Sequence, residues 1–195
     1  MIKVGITGGI GSGKTLIAGI FSFFGFPVFN ADWEAKKIVD ASPVVREKLI
    51  SVFGPGIYLQ NDVIDRKKLA SIIFNDEYLL KQVNGIIHPV VHIAFDRWSE
   101  LQTSPFVLYE AAILFESGRY KSMDYNILVV ASEEIRLKRV MQRDSATMEE
   151  VQRRMANQWK DEQKIGLSNF IINNNEQELI IPQVLEILKK IKTDG

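Results

Sequence analysis

The densest chemistry in the chain lies between Gly8 and Thr15, where Gly-Gly-Ile-Gly-Ser-Gly-Lys-Thr follows the short apolar run Val4 to Ile6. Gly8, Gly13, Lys14 and Thr15 hold the fixed positions of G-x-x-x-x-G-K-[ST]. Glycine lets the backbone curl, so that several N–H groups point at one anion. The apolar helical pattern after Thr15 adds the positive end of its dipole. Gly9, Ile10, Gly11, Ser12, Gly13, Lys14, Thr15 and Leu16 are therefore expected to bind a nucleoside triphosphate. Lys14 supplies a mobile positive charge for the β- and γ-phosphates, and the Thr15 hydroxyl is the expected ligand of Mg²⁺.

Phosphoryl transfer also needs an orienting base and charge to neutralise the phosphates. Asp32 is the candidate base. It follows the apolar run Pro27 to Phe29, and in open parallel sheets ligands bind outside the carboxyl ends of the strands. Its alternative role is a cap for the helix after it, and Asn30 is a weaker neighbour. Residues 136 to 164 hold eight basic and five acidic side chains, with Arg136, Lys138, Arg139, Arg143, Arg153 and Arg154 among the former. Such a segment is either a solvated helical face or a lid whose arginines close on the triphosphate. Glu110 and Glu116 end a predicted strand; each can order Mg²⁺ or the acceptor, or cap a helix. His88 and His92 share helical spacing, but no cysteine or acid cluster accompanies them, and Mg²⁺ prefers oxygen.

The elements that position these residues alternate in type. Ile17, Ile20, Phe21 and Phe24 recur at helical spacing, ended by Gly25 and Pro27. Strands are predicted at the N-terminus, at 27–29, 105–109, 125–131 and 170–172. This is an α/β pattern: a parallel, doubly wound five-stranded sheet in three α/β/α layers. Between 33 and 104 the pattern is almost wholly helical, with caps at Ser42, Asp65 and Asp76 and a helix start or kink at His88-Pro89. Ser132 caps the next core helix, and Thr147 to Glu150 is a capping box. The predicted organisation is a nucleotide-binding core of 1–32 with 105–139 and 166–195, a substrate-binding insertion at 33–104 and a lid at 140–165.

Composition narrows the classes. The chain has 195 residues, 46% hydrophobic and 25% charged, with zero net charge and no cysteine. It can bury a core, and neutrality argues against a dedicated nucleic-acid binder. Disulfides and cysteine-ligated zinc are excluded. No signal peptide is visible, and the apolar stretch 16–29 is too short and interrupted to span a bilayer. The expectation is a cytoplasmic enzyme that uses small molecules, with no obligate protein partner implied. The guanine-reading Asn-Lys-x-Asp motif is absent, which disfavours a GTPase.

Taken in order, the motifs resemble those of the dephospho-coenzyme A kinase family. The matching stretches are Ile-Thr-Gly-Gly-Ile-Gly-Ser-Gly-Lys-Thr at 6–15, Asn-Ala-Asp at 30–32, Asp-Arg-x-x-Leu-Ala-x-Ile-Ile-Phe at 65–74 and His-Pro-x-Val at 88–91. They continue with Ile-Leu-Phe-Glu at 113–116, Gln-Arg-Asp at 142–144, Arg-x-x-x-Gln at 154–158 and Phe-Ile-Ile-Asn-Asn at 170–174. The resemblance implies a P-loop kinase fold and phosphorylation of the ribose 3′-hydroxyl of dephospho-CoA with ATP and Mg²⁺. It implies that Asp32 is the catalytic carboxylate, that Arg66 and His88 lie around the acceptor, and that Arg143 and Arg154 are lid residues at the ATP phosphates. Asn174 is implied near the adenine. The chain departs from the family at Asn30, where Asp is common, at Ala112-Ile113-Leu114, where Pro-Leu-Leu is common, and at Leu16, where a second hydroxyl residue is usual.

Overall fold

The computed structural model describes residues 1–73 and 76–193. Phe74, the last position of the 65–74 motif, and the last two residues of the predicted 166–195 core segment lie outside them. The chain forms two compact units, 1–30 with 102–195, and 31–101.

In the first unit β1 (Ile2–Thr7), β2 (Val28–Asn30), β3 (Phe106–Glu110), β4 (Tyr125–Val130) and β5 (Phe170–Asn173) make one sheet in the order β2-β3-β1-β4-β5. Every pairing is parallel. Chain order reverses on the two sides of β1, so β1 is the switch point at which such sheets bind ligands. The residue after β1 is the first glycine of the phosphate loop. Ile6, Glu110 and Asn30 stand in one row across β1, β3 and β2, which places Glu110 and Asn30 at the carboxyl rim. The predicted strand 105–109 is thus shifted by one residue, because pairing with Ile6 and Asn30 extends it to Glu110.

The helices among the described residues are α1 (Lys14–Phe23), α2 (Ala31–Ala41), α3 (Pro43–Phe53), α4 (Arg66–Ile73), α5 (Glu77–Glu100), α6 (Glu133–Asp144), α7 (Met148–Ala156), α8 (Asp161–Ile165) and α9 (Ile180–Thr193). Central parallel strands are buried on both faces and read as continuous apolar runs, as β3 does over all five residues. Val4, Ile6, Phe106, Leu108, Ile127 and Val129 pack with Ile17 and Phe21 of α1 and with Val184, Ile187 and Ile191 of α9. Phe21 is fully buried, and burying one such side chain stabilises by roughly 1.5–3 kcal/mol. The phenylalanines that crowd the start of the chain divide their roles: Phe21 and Phe26 are core, whereas Phe23 is exposed.

The second unit is helical and has its own core of Val39, Val45, Leu49, Ile57, Leu69 and Val83. Ser42, Asp65 and Asp76 accept hydrogen bonds from backbone N–H groups three residues on, as capping predicts. His88-Pro89 does not start a helix. α5 runs from Asp76 as its cap to Glu100 with Pro89 inside it. Val83, Val91 and Phe95 keep one buried stripe across the proline, although Pro89 has no N–H to give the Gly85 carbonyl. Asp32 is not an N-cap either, because α2 begins at Ala31 and Asp32 lies in its first turn.

Candidate active site

The phosphate loop is held from three sides. Gly11 and Gly13 have φ of 82° and 93°, values that side-chain-bearing residues adopt at a cost. Beneath the loop the buried Asn174 donates from Nδ2 to the Ser12 carbonyl at 2.8 Å. Its own N–H bonds the Val130 carbonyl, which ties β5 to β4 at the same point. Beside it Arg139 donates to the carbonyls of Gly11 and Asn174, at 3.5 and 3.1 Å, and pairs with Glu176. Above it the Gln158 side chain accepts from Ile10 N–H at 2.8 Å and donates to the Ala112 carbonyl at 3.2 Å. A loop braced in this way holds its shape without a ligand, which limits the reorganisation needed when charge arrives. A cavity of about 170 Å³ opens on it, lined by Gly13, Lys14, Thr15, Arg139 and Arg143.

Of the residues lining that cavity, Thr15 donates from Oγ1 to Glu110 Oε1 at 2.5 Å, and Asn30 Nδ2 donates to Glu110 Oε2 at 2.8 Å. Glu110 is 2% exposed. Both carboxylate oxygens of this buried acid are therefore satisfied, as a buried charge requires. Of the two roles left open for Glu110, the structure gives it a place at the site and no helix to cap. Glu116 serves elsewhere. It accepts from Trp159 N–H and pairs with Lys164, which is fully buried, each at 3.0 Å. The segment after α7 is thus anchored by Gln158, Trp159 and Lys164 to the turn that follows β3.

The cations divide into two kinds. Arg143 donates to both oxygens of Asp144 at 2.7 and 3.1 Å, and Arg154 donates to the same carboxylate at 2.7 Å. The hydrogen bond from Arg143, aided by Arg154, holds Asp144 below the usual carboxylate range. Lys14 makes no hydrogen bond or ion pair among the described residues.

In the unit 31–101, α2 carries Asp32, Lys36 and Asp40 four residues apart, on one helical stripe. Arg66 Nη2 donates to Asp40 at 2.7 Å and to the Lys36 carbonyl at 3.1 Å. His88 senses the negative charge of Asp32. Burial lowers its pKa, and the Asp32 charge opposes that without cancelling it. The structure thus brings His88 within reach of the Asp32 charge, although 56 residues separate them in sequence, whereas Arg66 is held by Asp40, two turns further along α2.

Sequence reasoning placed Lys14, Thr15 and the loop glycines where they stand. It did not place Gln158 on the loop, although Gln158 closes the Arg-x-x-x-Gln motif. Asn174, expected near the adenine, makes its side-chain bonds to Ser12 and Arg139. Leu16 lies in α1 with its side chain exposed. Among the described residues no group of three His, Cys, Asp or Glu gathers to hold a metal, and no helix is long and apolar enough to cross a membrane.

Comparison with known proteins converges. A family profile described as Dephospho-CoA kinase matches residues 2–179. A protein of Porphyromonas gingivalis named Dephospho-CoA kinase is 40% identical over 195 residues, covering 99% of this chain and 96% of its own. A crystal structure from Thermus thermophilus matches with a TM-score of 0.85 at 30% identity, over 99% of this chain and 97% of that one. The structure of a dephospho-CoA kinase from Campylobacter jejuni matches with a TM-score of 0.70 at 28% identity, over 99% and 98%.

Proposed function

The chain belongs to the dephospho-CoA kinase family, and from that premise we propose how its own residues carry the transfer. The enzyme phosphorylates the ribose 3′-hydroxyl of dephospho-CoA with ATP, giving coenzyme A and ADP in the last step of coenzyme A biosynthesis. One O–P bond forms at the acceptor oxygen, one breaks between the β- and γ-phosphates, and the hydroxyl proton must leave.

The observation that carries the assignment of roles is the braced loop with Lys14 unpaired above it. The N–H groups between Gly9 and Leu16 that the fold leaves open hold the phosphates, those of Ile10 and Ser12 being bonded to Gln158 and Gly9, and Lys14 follows the charge of the phosphoryl group as it moves. Asn174 serves the nucleotide through the loop, by fixing Ser12. Asp32 accepts the 3′-hydroxyl proton, and His88 and Arg66 order the acceptor; the helical stretch 33–104 binds it. Arg143 and Arg154 exchange Asp144 for ATP phosphates, and the segment 140–165 acts as a lid that excludes water, the competing acceptor. The donors at the loop suit Mg²⁺, which takes oxygen ligands. Thr15 Oγ1 would hold it and Glu110 would orient that hydroxyl; the ion supplies charge neutralisation for the phosphates. A cytoplasmic location, and action without nucleic acid, membrane or protein partner, complete the reading.

The test is transfer from labelled ATP to a panel of acceptors. Product from dephospho-CoA is expected, whereas transfer to nucleosides alone would sink the reading. Asp32→Asn is expected to lower kcat by about 10²–10⁴-fold, the range for a general base, with ATP binding intact by titration. Near-normal turnover in that variant would remove Asp32 from the base role.

A further inference from the structure

Arg136 and Arg139 lie at the loop without a role from the resemblance, and the surroundings of Arg136 differ from those of the other arginines. It lies one turn into α6, three residues before Arg139. A methyl group built on Gly9 would overlap the Arg136 guanidinium, so the side chain lies directly on the phosphate loop where the loop has no side chain. Nε of Arg136 is buried and has no hydrogen-bond partner. Among the described residues the whole side chain makes no hydrogen bond or ion pair. Arg139, Arg143 and Arg154 each have a carboxylate.

An unpaired guanidinium with a buried donor is costly unless something satisfies it. Three acids, Glu133, Asp161 and Glu162, line the same cavity of about 730 Å³ as Arg136. None comes within ion-pair distance of it, and Asp161 Oδ1 is itself buried without a partner. The cavity continues to Gln158, the residue that holds Ile10 N–H. The guanidinium thus lies against Gly9, at the Gly9–Ile10 end of the loop.

We propose that Arg136 is a further phosphate-binding residue, whose guanidinium takes a phosphate oxygen at the Gly9–Ile10 end of the loop. Arginine suits the task because its planar fork can grip two oxygens. The phosphate belongs either to the terminal group of ATP or to the diphosphate of the acceptor. The inference rests on the kinase reading above only for the identity of these ligands.

The experiment compares the full-length wild type with Arg136→Gln and Arg136→Lys. ATP and ADP affinities are measured by calorimetry, and kcat and the acceptor KM with dephospho-CoA. Loss of a charged hydrogen bond is expected to weaken phosphate binding by about tenfold or more, with partial recovery in the lysine variant. If ATP weakens and ADP does not, the contact is to the terminal phosphate. If the acceptor KM rises and ATP affinity holds, it is to the acceptor. Unchanged affinities, KM and kcat in Arg136→Gln would overturn the proposal. So would a fall in Tm alone that Asp161→Asn reproduces, because that marks a water-bridged structural pair. Transfer to dephospho-CoA by the wild type keeps the kinase reading standing whatever Arg136 does.

Discussion

In the proposed mechanism the phosphate loop and the arginines around Asp144 both handle phosphate charge, and they are built in opposite ways. The loop is tied by hydrogen bonds from Asn174, Arg139 and Gln158, which come from three different parts of the chain. Arg143 and Arg154 share one carboxylate close to solvent. Exposed ion pairs contribute only about 0–1 kcal/mol, so these arginines can change partner at little cost. In that mechanism a fixed backbone cradle receives the phosphates, and exchangeable side chains follow them. The contrast matches what phosphoryl transfer needs: groups that do not move as charge develops, and others that cover the site once it is filled.

Four changes probe that contrast. Removing Lys14 with Lys14→Ala takes a mobile charge off the fixed cradle. kcat is expected to fall about 10²–10³-fold, the cost of losing one preorganised electrostatic contact, while Tm holds; unchanged kcat in steady-state assays would put the charge elsewhere. Asn174→Ala instead attacks the brace. It leaves the buried Ser12 carbonyl unpaired, at a cost of about 1–3 kcal/mol in denaturant unfolding, and ATP should bind more weakly. Lower stability with full ATP affinity would mean that the loop keeps its shape unaided.

Asp144→Asn goes to the other side of the contrast. It should alter stability by less than about 1 kcal/mol and tighten ATP binding by at most about fivefold, since only an exposed pair is released. A loss of affinity would show that Asp144 positions the two arginines. The smallest effect concerns His88. Its folded pKa lies below the ordinary value because of burial, so the unfolded chain takes up the proton first. The stability linked to this group is complete above about pH 6.5 and is lost as pH falls through the lower folded value. His88→Asn should flatten that slope in unfolding measured from pH 7 to 5, and an unaltered slope would assign it to other groups.

The loop and the sheet were legible because their signals are local. Gly8 to Thr15 lie in one run, and β3 and β4 are uninterrupted apolar segments of strand length. The caps at Ser42, Asp76, Ser132 and Thr147 were legible for the same reason, since each acts on an N–H three residues away. Of the start or kink expected at His88-Pro89, the start is not found, because a buried stripe on both sides outweighs one missing hydrogen bond.

What the sequence determined by itself was therefore the kind of ligand and the order of elements, both encoded over spans of about ten residues. Only the tertiary structure decided which distant groups share the site. Glu110 meets Thr15 across 95 residues, Gln158 meets Ile10 across 148 and Asn174 meets Ser12 across 162. It also decided which arginines have a carboxylate and which one lies unpaired on the loop. Such pairings depend on strand order and helix packing, and those arise from burial summed over the whole core, to which no single stretch of the chain holds the answer.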